Sequence, residues 1–365
     1  MIPDRAELEP HYESWELDAI DKIRKLTDAN PDDEARNTYG RRALRALWPD
    51  DLVYLSKTSW ISTKSEGLVL LKPNYAQQRF YEDVILRCRR EGRPIRGTIL
   101  KARQLGFSTF IQVWQFMQCD LNAHRRALTL SYDDPSTVEL HEKSKTVYAN
   151  QWFPRKAKRN KGELLEFEKP HSSIVYTRTA GTEAAGRSLT VHHQHQSEIP
   201  MWPDPEGTSL SAQQAVPAHA STSIFKESTA KGAHGKFYND WNEAVAGESD
   251  YVPFFAPWYW DPTYTLPFPS DDHKRAFMDK LTPEERDIRA RHSLTAEQMA
   301  WRAWKIRNDC SGSLALWNQE YPTEPSDAFL STGSPVFNAR AVRRLQDNIA
   351  SPRWIGDIFL TEAPK

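Results

Sequence analysis

The hydrophobic positions in the middle of the chain change from a short continuous run to a helical period. Ile99 and Leu100 form the run, and after a polar stretch Phe110, Trp114, Met117 and Leu121 recur at i, i+4, i+7 and i+11. A short apolar run between polar residues is typical of a buried strand, and the later spacing places these side chains on one face of a helix. The pattern therefore predicts a strand, a turn and a helix.

The same alternation of strands and helices continues through the central region. Residues 127–131 and 173–177 read as further strands, and Asp134 followed by Pro135 predicts an N-cap and the first residue of a helix. Strands that alternate with helices form βαβ units, and ligands of such sheets bind at the carboxyl ends of the strands. The expected fold class is α/β, with a mostly parallel sheet flanked by helices.

The two ends of the chain have different patterns. Residues 13–27 and 32–47 predict two amphipathic helices. Aromatic residues and prolines are frequent after residue 250, and Thr282 and Thr295 each begin a capping-box pattern. We therefore expect a helical N-terminal appendage, a core, and a lid-and-linker region, over residues 1–72, 73–250 and 251–365.

The polar turn after residue 100 reads as an altered phosphate-binding loop (Walker A). Gly106 and Ser108 fit the pattern G-x-x-x-x-G-K-[ST], in which backbone N–H groups and a lysine bind phosphate and the hydroxyl ligates Mg²⁺. Phe107 occupies the lysine position, but Lys101, at the place of the first glycine, has a flexible stem that can fold back onto the phosphates. The alternative is an ordinary strand-to-helix turn. The expected nucleotide-binding residues are Lys101, Ala102, Arg103, Gln104, Leu105, Gly106, Phe107, Ser108 and Thr109.

Two later segments carry the other groups that a P-loop ATPase needs. Such enzymes have a Mg²⁺-associated acid followed by a carboxylate that orients the attacking water. Glu198 fits the second role, and the neutral Ser197 stands at the first, which leaves the metal to Ser108, phosphate oxygens and water. In a third segment, Ser228 and Thr229 end a β-rich run, where hydroxyls beside the γ-phosphate could sense its loss.

A histidine cluster offers a competing interpretation. His192, His193 and His195 lie close to Glu198, and His193 and His195 share one strand face. Such a set could bind Zn²⁺. We favour buried histidines, because no second cluster of ligands is present in the sequence.

Composition limits the class of protein. Apolar residues make up 39% of the 365-residue chain, enough for a substantial core. The mean hydropathy of −0.70 and the lack of a long apolar run argue against a membrane span. The three cysteines have no metal-ligand spacing, and the N-terminus has no signal-peptide pattern. These features favour a reducing cytosol.

The net charge of −1 does not indicate a nucleic-acid binder, but two basic clusters could contact a DNA backbone without reading sequence. Solvated charged loops are the alternative for each. The clusters consist of Arg87, Arg89, Arg90, Arg93 and Arg96, and of Arg155, Lys156, Lys158, Arg159 and Lys161.

Taken in order, an early lysine, the R-Q-x-G turn at residues 103–106, the Ser197-Glu198 pair and the S-T-A-x-G segment at residues 228–232 resemble the ATPase domain of the viral terminase large subunit. The resemblance covers about residues 70–340. It implies a P-loop NTPase of the RecA-like (ASCE) type that uses ATP and Mg²⁺ to package double-stranded DNA into a phage procapsid.

The resemblance also implies roles for individual residues. Glu198 would orient water, Lys101 would neutralise the phosphates, and Arg103 would reach the γ-phosphate or link it to the lid. Arg187 would act on the ATP of a neighbouring subunit. Gln77 would recognise adenine, with Gln78 as the alternative.

Partners and location follow from the same resemblance. We expect double-stranded DNA, the portal of a procapsid, a terminase small subunit, and a homo-oligomeric ring, a pentamer, in the host cytoplasm and without a membrane. No nuclease activity is expected, since the family's nuclease domain would follow the last residue. Two other classes stay open: a helicase-type DNA translocase, and a non-catalytic docking module with a decayed phosphate loop, which Phe107 and Ser197 favour.

Overall fold

A mostly parallel sheet forms the centre of the computed structural model, which describes residues 2–63, 65–181 and 190–329. The strands are β1 (Trp60–Thr63), β2 (Gly67–Leu70), β3 (Ile95–Lys101), β4 (Arg126–Ser131), β5 (Ala157–Lys161), β6 (Leu164–Phe167), β7 (Ile174–Thr179), β8 (His193–Ser197), β9 (Ser223–Ser228) and β10 (Val252–Ala256). Strands β1 and β2 form an antiparallel hairpin, and the main sheet has the order β10-β3-β9-β8-β4-β7-β6-β5. Pairs from β10 to β7 are parallel, and β6 is antiparallel to both neighbours.

Helices flank this sheet, which confirms the predicted α/β fold class. They are α1 (Arg5–Leu8), α2 (Ser14–Asp28), α3 (Asp33–Leu47), α4 (Asp51–Thr58), α5 (Tyr75–Phe80), α6 (Arg87–Arg90), α7 (Phe107–Leu121), α8 (Asp134–Ala149), α9 (Pro205–Gln214), α10 (Lys236–Ala246), α11 (Asp271–Asp279), α12 (Pro283–Arg291), α13 (Ala296–Asn308), α14 (Leu314–Glu320) and α15 (Pro325–Ala328). A π-helical segment, Tyr81–Leu86, joins α5 to α6. In the described part of the chain, no helix is long and apolar enough to cross a membrane.

Local sequence explains most of the helix boundaries. Helices α2 and α3 confirm the two amphipathic helices near the N-terminus, and the Thr282 and Thr295 capping boxes both form. At α8 the predicted N-cap is wrong by one residue. Asp133, not Asp134, is in the extended conformation and accepts a hydrogen bond from the Ser136 N–H, because an N-cap residue must lie outside the helical backbone region.

The core around β3 and α7 positions the turn between them. Every residue of β3 is buried, as expected for a central parallel strand. Phe110, Trp114 and Met117 of α7 are buried as predicted. Phe107, the first residue of α7, packs edge-to-face against Phe80. A fully packed strand and helix hold the intervening turn in a fixed place.

The chain after residue 250, where a lid-and-linker region is expected, first contributes a strand to the sheet. Strand β10 pairs in parallel with β3, so an edge strand of the sheet lies just inside this range. Beyond it, aromatic side chains pack together, with Tyr264 stacked on Trp301 at a centroid distance of 4.3 Å and Trp258 and Trp317 fully buried. This aromatic cluster adjoins the turn after β3, because the Tyr264 hydroxyl donates to the Arg103 carbonyl at 2.8 Å.

Candidate active site

The turn between β3 and α7 contains two residues with left-handed backbone, Gln104 (φ 60°) and Gly106 (φ 74°). The left-handed backbone at Gly106 favours glycine, and a Cβ there would also lie 2.7 Å from the Gln77 amide nitrogen. Gly106 is the N-cap residue of α7, and no side chain caps the helix. The first N–H groups of a helix have no intrahelical partners and attract anions, so the turn can receive phosphate.

A cavity of about 600 Å³ opens beside this turn, at the carboxyl ends of the parallel strands. It is lined by segments far apart in sequence, including the turn, the ends of β8 and β9, and residues of α8 and α14. Ala102 is buried and is absent from the lining. The expected site residues that line the cavity are Lys101, Arg103, Gln104, Leu105, Gly106, Phe107, Ser108, Thr109, Ser197, Glu198, Ser228 and Thr229.

Lys101, the last residue of β3, lies between two carboxylates. Its Nζ is 3.1 Å from Glu198 Oε1 and 3.2 Å from Glu227 Oε1, and its side chain is 8% exposed. Burial by itself would lower the pKa of Lys101, but the two carboxylates outweigh burial and raise it. Lys101 is therefore a charged ammonium group in the cavity. Its contact with phosphate remains a prediction.

Glu198 follows β8 with a left-handed backbone (φ 54°), an uncommon conformation for a residue other than glycine. Such strain costs about 1–3 kcal/mol and is frequent at functional sites. The Ser228 hydroxyl donates to Glu198 Oε2 at 2.9 Å, and Lys101 holds the other oxygen. With 27% of its side chain exposed, Glu198 can contact a ligand in the cavity.

Glu227 received no role in the sequence analysis. It lies in β9, is fully buried, and accepts hydrogen bonds from Ser108 Oγ at 3.0 Å and from His195 Nε2 at 2.8 Å. Burial by itself would raise the pKa of Glu227, but Lys101 and His195 outweigh it and lower the pKa to about 2. The signal for Glu227 in the sequence was an acidic residue inside a β-rich run. That run is the strand β9, in which every position is buried.

The histidines are engaged in separate hydrogen bonds. His195 contacts Glu227 on one side and Gln112 Nε2 through Nδ1 at 3.3 Å, whereas His193 Nδ1 lies 3.1 Å from Ser223 Oγ. Among the described residues, no group of three or more His, Cys, Asp or Glu side chains is arranged to hold a metal ion. His193 and His195 are buried and hydrogen-bonded in this structure.

Arg103 links the turn to the C-terminal region. Its guanidinium Nη1 is 2.8 Å from Glu320 Oε2, and its backbone N–H donates to the Glu320 carbonyl at 2.8 Å. Because Glu320 is the last residue of α14, both contacts join the turn to this helix. A link from Arg103 to a lid remains a prediction, as does its contact with the γ-phosphate.

Gln77 supports the turn in this structure. Its Nε2 donates to the Gly106 carbonyl at 2.9 Å, and its Oε1 accepts from the Asn74 N–H at 3.1 Å within a capping box. Gln78 is more exposed, and its Nε2 donates to the Pro73 carbonyl at 2.7 Å. Both amides have protein partners that a contact with adenine would replace, so adenine recognition by either remains a prediction.

Phe107 and Arg187 are two other expected site residues. The side chain of Phe107, at the position of the usual lysine, is buried in the aromatic core. Arg187 lies outside the described residues, as does Glu183. The proposed action of Arg187 on a neighbouring subunit remains a prediction from sequence.

Most members of the two basic clusters are paired with acids. Arg87 and Arg93 bind Glu91, and Lys158 and Arg159 bind Glu166. Arg89 and Arg155 also line a second cavity of about 930 Å³. This cavity, the arginine cavity, is lined by Arg41, Arg42, Arg45, Arg89, Arg155, Asp51, His171 and neighbouring polar residues.

The arginine cavity lies at the opposite end of the sheet from the 600 Å³ cavity. Its lining residues Arg89, Asn122 and His171 precede the parallel strands β3, β4 and β7. Asp51 binds both Arg45 and Arg89, and Asp120 binds Arg155. The five guanidinium groups therefore have two carboxylate partners, and positive charge is in excess.

The structure defines an α/β protein with a mostly parallel sheet, in which β9 lies between β3, the strand before the turn, and β8, the strand that Glu198 follows. Solved structures similar to this chain include phage large terminases. A mutant form of the ATPase domain of the Thermus phage P74-26 large terminase is 16% identical, with 70% of this chain and 99% of that chain covered and a TM-score of 0.43.

Two further large terminases give comparable results. The large terminase of bacteriophage HK97 is 14% identical, covering 80% of this chain and 57% of that chain, with a TM-score of 0.47. The large terminase of a thermophilic bacteriophage is 11% identical, covering 58% and 51%, with a TM-score of 0.41. No family model and no curated protein matches the sequence. The chain thus spans little more than half of these two terminases.

Proposed function

We propose that this protein is the ATP-hydrolysing motor of a phage terminase large subunit, which translocates double-stranded DNA into a procapsid. The observation that carries the proposal is the convergence, in one cavity, of the turn over residues 101–109, the strained Glu198 and the hydroxyl of Ser228. The fold alone hosts many functions, so the argument rests on this set of side chains.

The cavity residues have complementary tasks in ATP hydrolysis. Lys101 would exchange its carboxylate contacts for phosphate oxygens, and N–H groups at the start of α7 would bind the same phosphates. Glu198 would accept a hydrogen bond from the attacking water and orient it. Held by Ser228 and Lys101, the carboxylate of Glu198 keeps a defined direction.

The Ser108 hydroxyl lines the cavity and fits a magnesium ion that is bound chiefly by phosphates and water. Ser197 lines it as well and would contact the ion through water. When bound, magnesium supplies charge neutralisation on the phosphate oxygens.

Phosphate loss would reach the rest of the protein along two routes. Ser228, and with it Thr229, would respond through the hydrogen bond to Glu198, since a change in that carboxylate changes its partner on β9. The Arg103 contacts with Glu320 join the turn to the lid-and-linker region. We assign the appendage, core and lid-and-linker region to residues 1–72, 73–250 and 251–365, with β10 as the sheet's edge strand.

We place the contact with duplex DNA at the arginine cavity. An excess of guanidinium groups attracts backbone phosphates independently of base sequence, as a packaging motor requires. Arg41 is 6% exposed and adds to the positive charge of this cavity. Its guanidinium donates to the Phe153 carbonyl and the Thr38 hydroxyl, which are both neutral.

The assembly and the other partners follow from the proposed family. A homo-oligomeric ring, a pentamer in our proposal, would dock on the portal of the procapsid and work with a terminase small subunit in the host cytoplasm. Arg187 would then serve the ATP of the adjacent subunit, as trans-acting arginines do when charge builds up on a transferring phosphoryl group.

An ATPase assay of the purified protein tests the proposal directly. Nucleotide binding is measured first with a fluorescent ATP analogue and Mg²⁺, and turnover is then measured alone, with duplex DNA, and with procapsids. We expect binding, slow turnover alone, and acceleration by DNA and procapsids. Turnover that neither DNA nor procapsids accelerate would argue against a packaging motor.

A docking module without catalysis is the second candidate. Phe107 favours this candidate, because it stands where the phosphate-binding lysine usually is and its side chain is buried in the aromatic core. The same binding measurement separates the two candidates. Duplex binding without any binding of ATP and Mg²⁺ would select the docking module.

A further inference from the structure

The position that usually carries the metal-associated acid is the neutral Ser197, yet an acid lies directly beside it. In the parallel pairing of β8 with β9, Ser197 is the partner of Glu227. Strand β9 lies between β8 and the phosphate-loop strand β3, so Glu227 is one strand closer to the phosphate loop than Ser197 is. The carboxylate that is missing from β8 is therefore replaced in space by one from β9.

The contacts of Glu227 are those that such an acid needs. Ser108 Oγ, the expected magnesium ligand, donates to Glu227 at 3.0 Å from Oε1 and 3.2 Å from Oε2. The same carboxylate lines the cavity and holds Lys101 at 3.2 Å. A carboxylate that fixes the orientation of a metal-binding hydroxyl acts on the metal through its ligand.

A purely structural role for Glu227 explains these contacts less well. If Glu227 served only to neutralise Lys101, Glu198 would already supply that charge at 3.1 Å. Burying a second carboxylate is costly unless it has further partners. The further partners are Ser108 on the cavity side and His195 behind it.

We propose that Glu227 is the positioning residue of the magnesium site, in place of the absent acid at position 197. It would hold the Ser108 hydroxyl, which donates to it, in a fixed orientation in the cavity where the ion would bind. This inference rests on the proposed ATPase function. It differs from that function in assigning the metal site to an acid on β9.

The test measures metal binding rather than turnover. Affinity for Mn²⁺, used as a paramagnetic substitute for Mg²⁺, is determined by electron paramagnetic resonance in the presence of a non-hydrolysable ATP analogue. For Glu227→Gln we expect the Mn²⁺ affinity to fall by about 10- to 100-fold, the range typical of a lost outer partner of a metal ligand. Binding of the analogue in EDTA should be retained.

Glu139→Gln is the matched control, because Glu139 is a carboxylate on α8 that lines the same cavity and pairs with Lys143. It should leave the Mn²⁺ affinity unchanged. Relocating the acid is the stricter test. In Ser197→Asp/Glu227→Gln the carboxylate returns to the usual strand, and we expect much of the lost Mn²⁺ affinity to be recovered.

The outcomes separate this inference from the proposed function. A wild-type protein that binds no nucleotide overturns both. Nucleotide binding with an unchanged Mn²⁺ affinity in folded Glu227→Gln, or a loss seen in Ser197→Ala but not in Glu227→Gln, overturns this inference alone. If thermal unfolding shows that Glu227→Gln does not fold, Glu227→Asp takes its place. It keeps the charge but shortens the reach to Ser108, and an unchanged Mn²⁺ affinity there counts against the inference in the same way.

Discussion

At the carboxyl ends of the strands, Lys101 lies between Glu198 and Glu227, and each carboxylate also accepts a hydroxyl hydrogen bond. At the amino ends, five arginines line a cavity in which Asp51 is the acid. Over its whole lining the first cavity has four basic and four acidic side chains, whereas the second cavity has positive charge in excess. Matched charges give a preorganised site that a small ligand can enter, whereas an excess of positive charge favours the binding of a polyanion.

The comparison predicts that catalysis depends on the first region. Glu198→Gln keeps the shape and the hydrogen bond from Ser228 but removes the charge that we propose orients the attacking water. We expect ATP hydrolysis to fall by about 10² or more, the range for lost acid or base function, while ATP still binds. Glu206→Gln, at an exposed acid of α9, is the control. Normal hydrolysis in Glu198→Gln would assign the role to another carboxylate, with Glu183 as the next candidate.

Nucleotide affinity should depend on the buried cation. Lys101→Met removes the ammonium group while keeping an apolar stem, and we expect ATP affinity to fall by about 10- to 100-fold, the loss typical of a hydrogen bond to a charged group. Lys143→Met is the control, since Lys143 lines the same cavity from α8. Unaltered ATP affinity in Lys101→Met would remove Lys101 from the phosphate site.

From the sequence, Phe107→Ala is expected to affect ATP turnover much less than Lys101→Ala. The structure, however, favours a milder substitution at Phe107. Because Phe107 is 1% exposed, truncation to alanine should also destabilise the fold by about 3–5 kcal/mol. Phe107→Leu keeps most of the volume, so its ATPase activity is the better measure. A large loss of activity in folded Phe107→Leu would contradict the substitution of Lys101 for the usual lysine.

The second region should affect DNA binding without affecting ATP. Arg42→Ala/Arg45→Ala removes two guanidinium groups but leaves Asp51 its partner Arg89. We expect weaker duplex binding, with the slope of log affinity against log salt reduced by about one for each lost phosphate contact. Arg275→Ala/Arg286→Ala, in the lid-and-linker region, is the matched control. The placement fails if both pairs weaken duplex binding equally, or if ATP affinity changes with Arg42 and Arg45.

The smallest expected effect is on the stability of the fold and concerns the turn between β3 and α7. Gly106 and Gly92 both have left-handed backbone, but a Cβ at Gly92 would meet nothing within 4 Å, whereas at Gly106 it would meet Gln77. Gly92→Ala should cost about 1–2 kcal/mol of unfolding free energy from the backbone alone. Gly106→Ala should lower the free energy of unfolding further, because Gln77 must also be displaced. Chemical denaturation measures both values. Equal costs would show that Gln77 yields freely.

Sequence reasoning succeeded where the determinants are local. The apolar run before residue 101 and the helical period from Phe110 to Leu121 were sufficient for β3 and α7, since side-chain periodicity depends on neighbours in the chain. It also predicted Lys101 and Glu198 as site residues, and both line the 600 Å³ cavity because each lies at the end of its strand. The one-residue error at Asp134 has the same local character, since two adjacent aspartates can both serve as caps.

The sequence by itself therefore determined the strand-turn-helix unit, the candidate phosphate-binding loop and the acid that follows β8. The tertiary structure alone decided that Glu227 meets Ser108 and that Arg89 and Arg155 share a cavity with α3. The physical reason is that parallel strands pair with partners far away in sequence, and the order of β3, β9 and β8 sets which side chains become neighbours. Burial then makes these neighbours matter, because charges removed from water must find their partners within the protein.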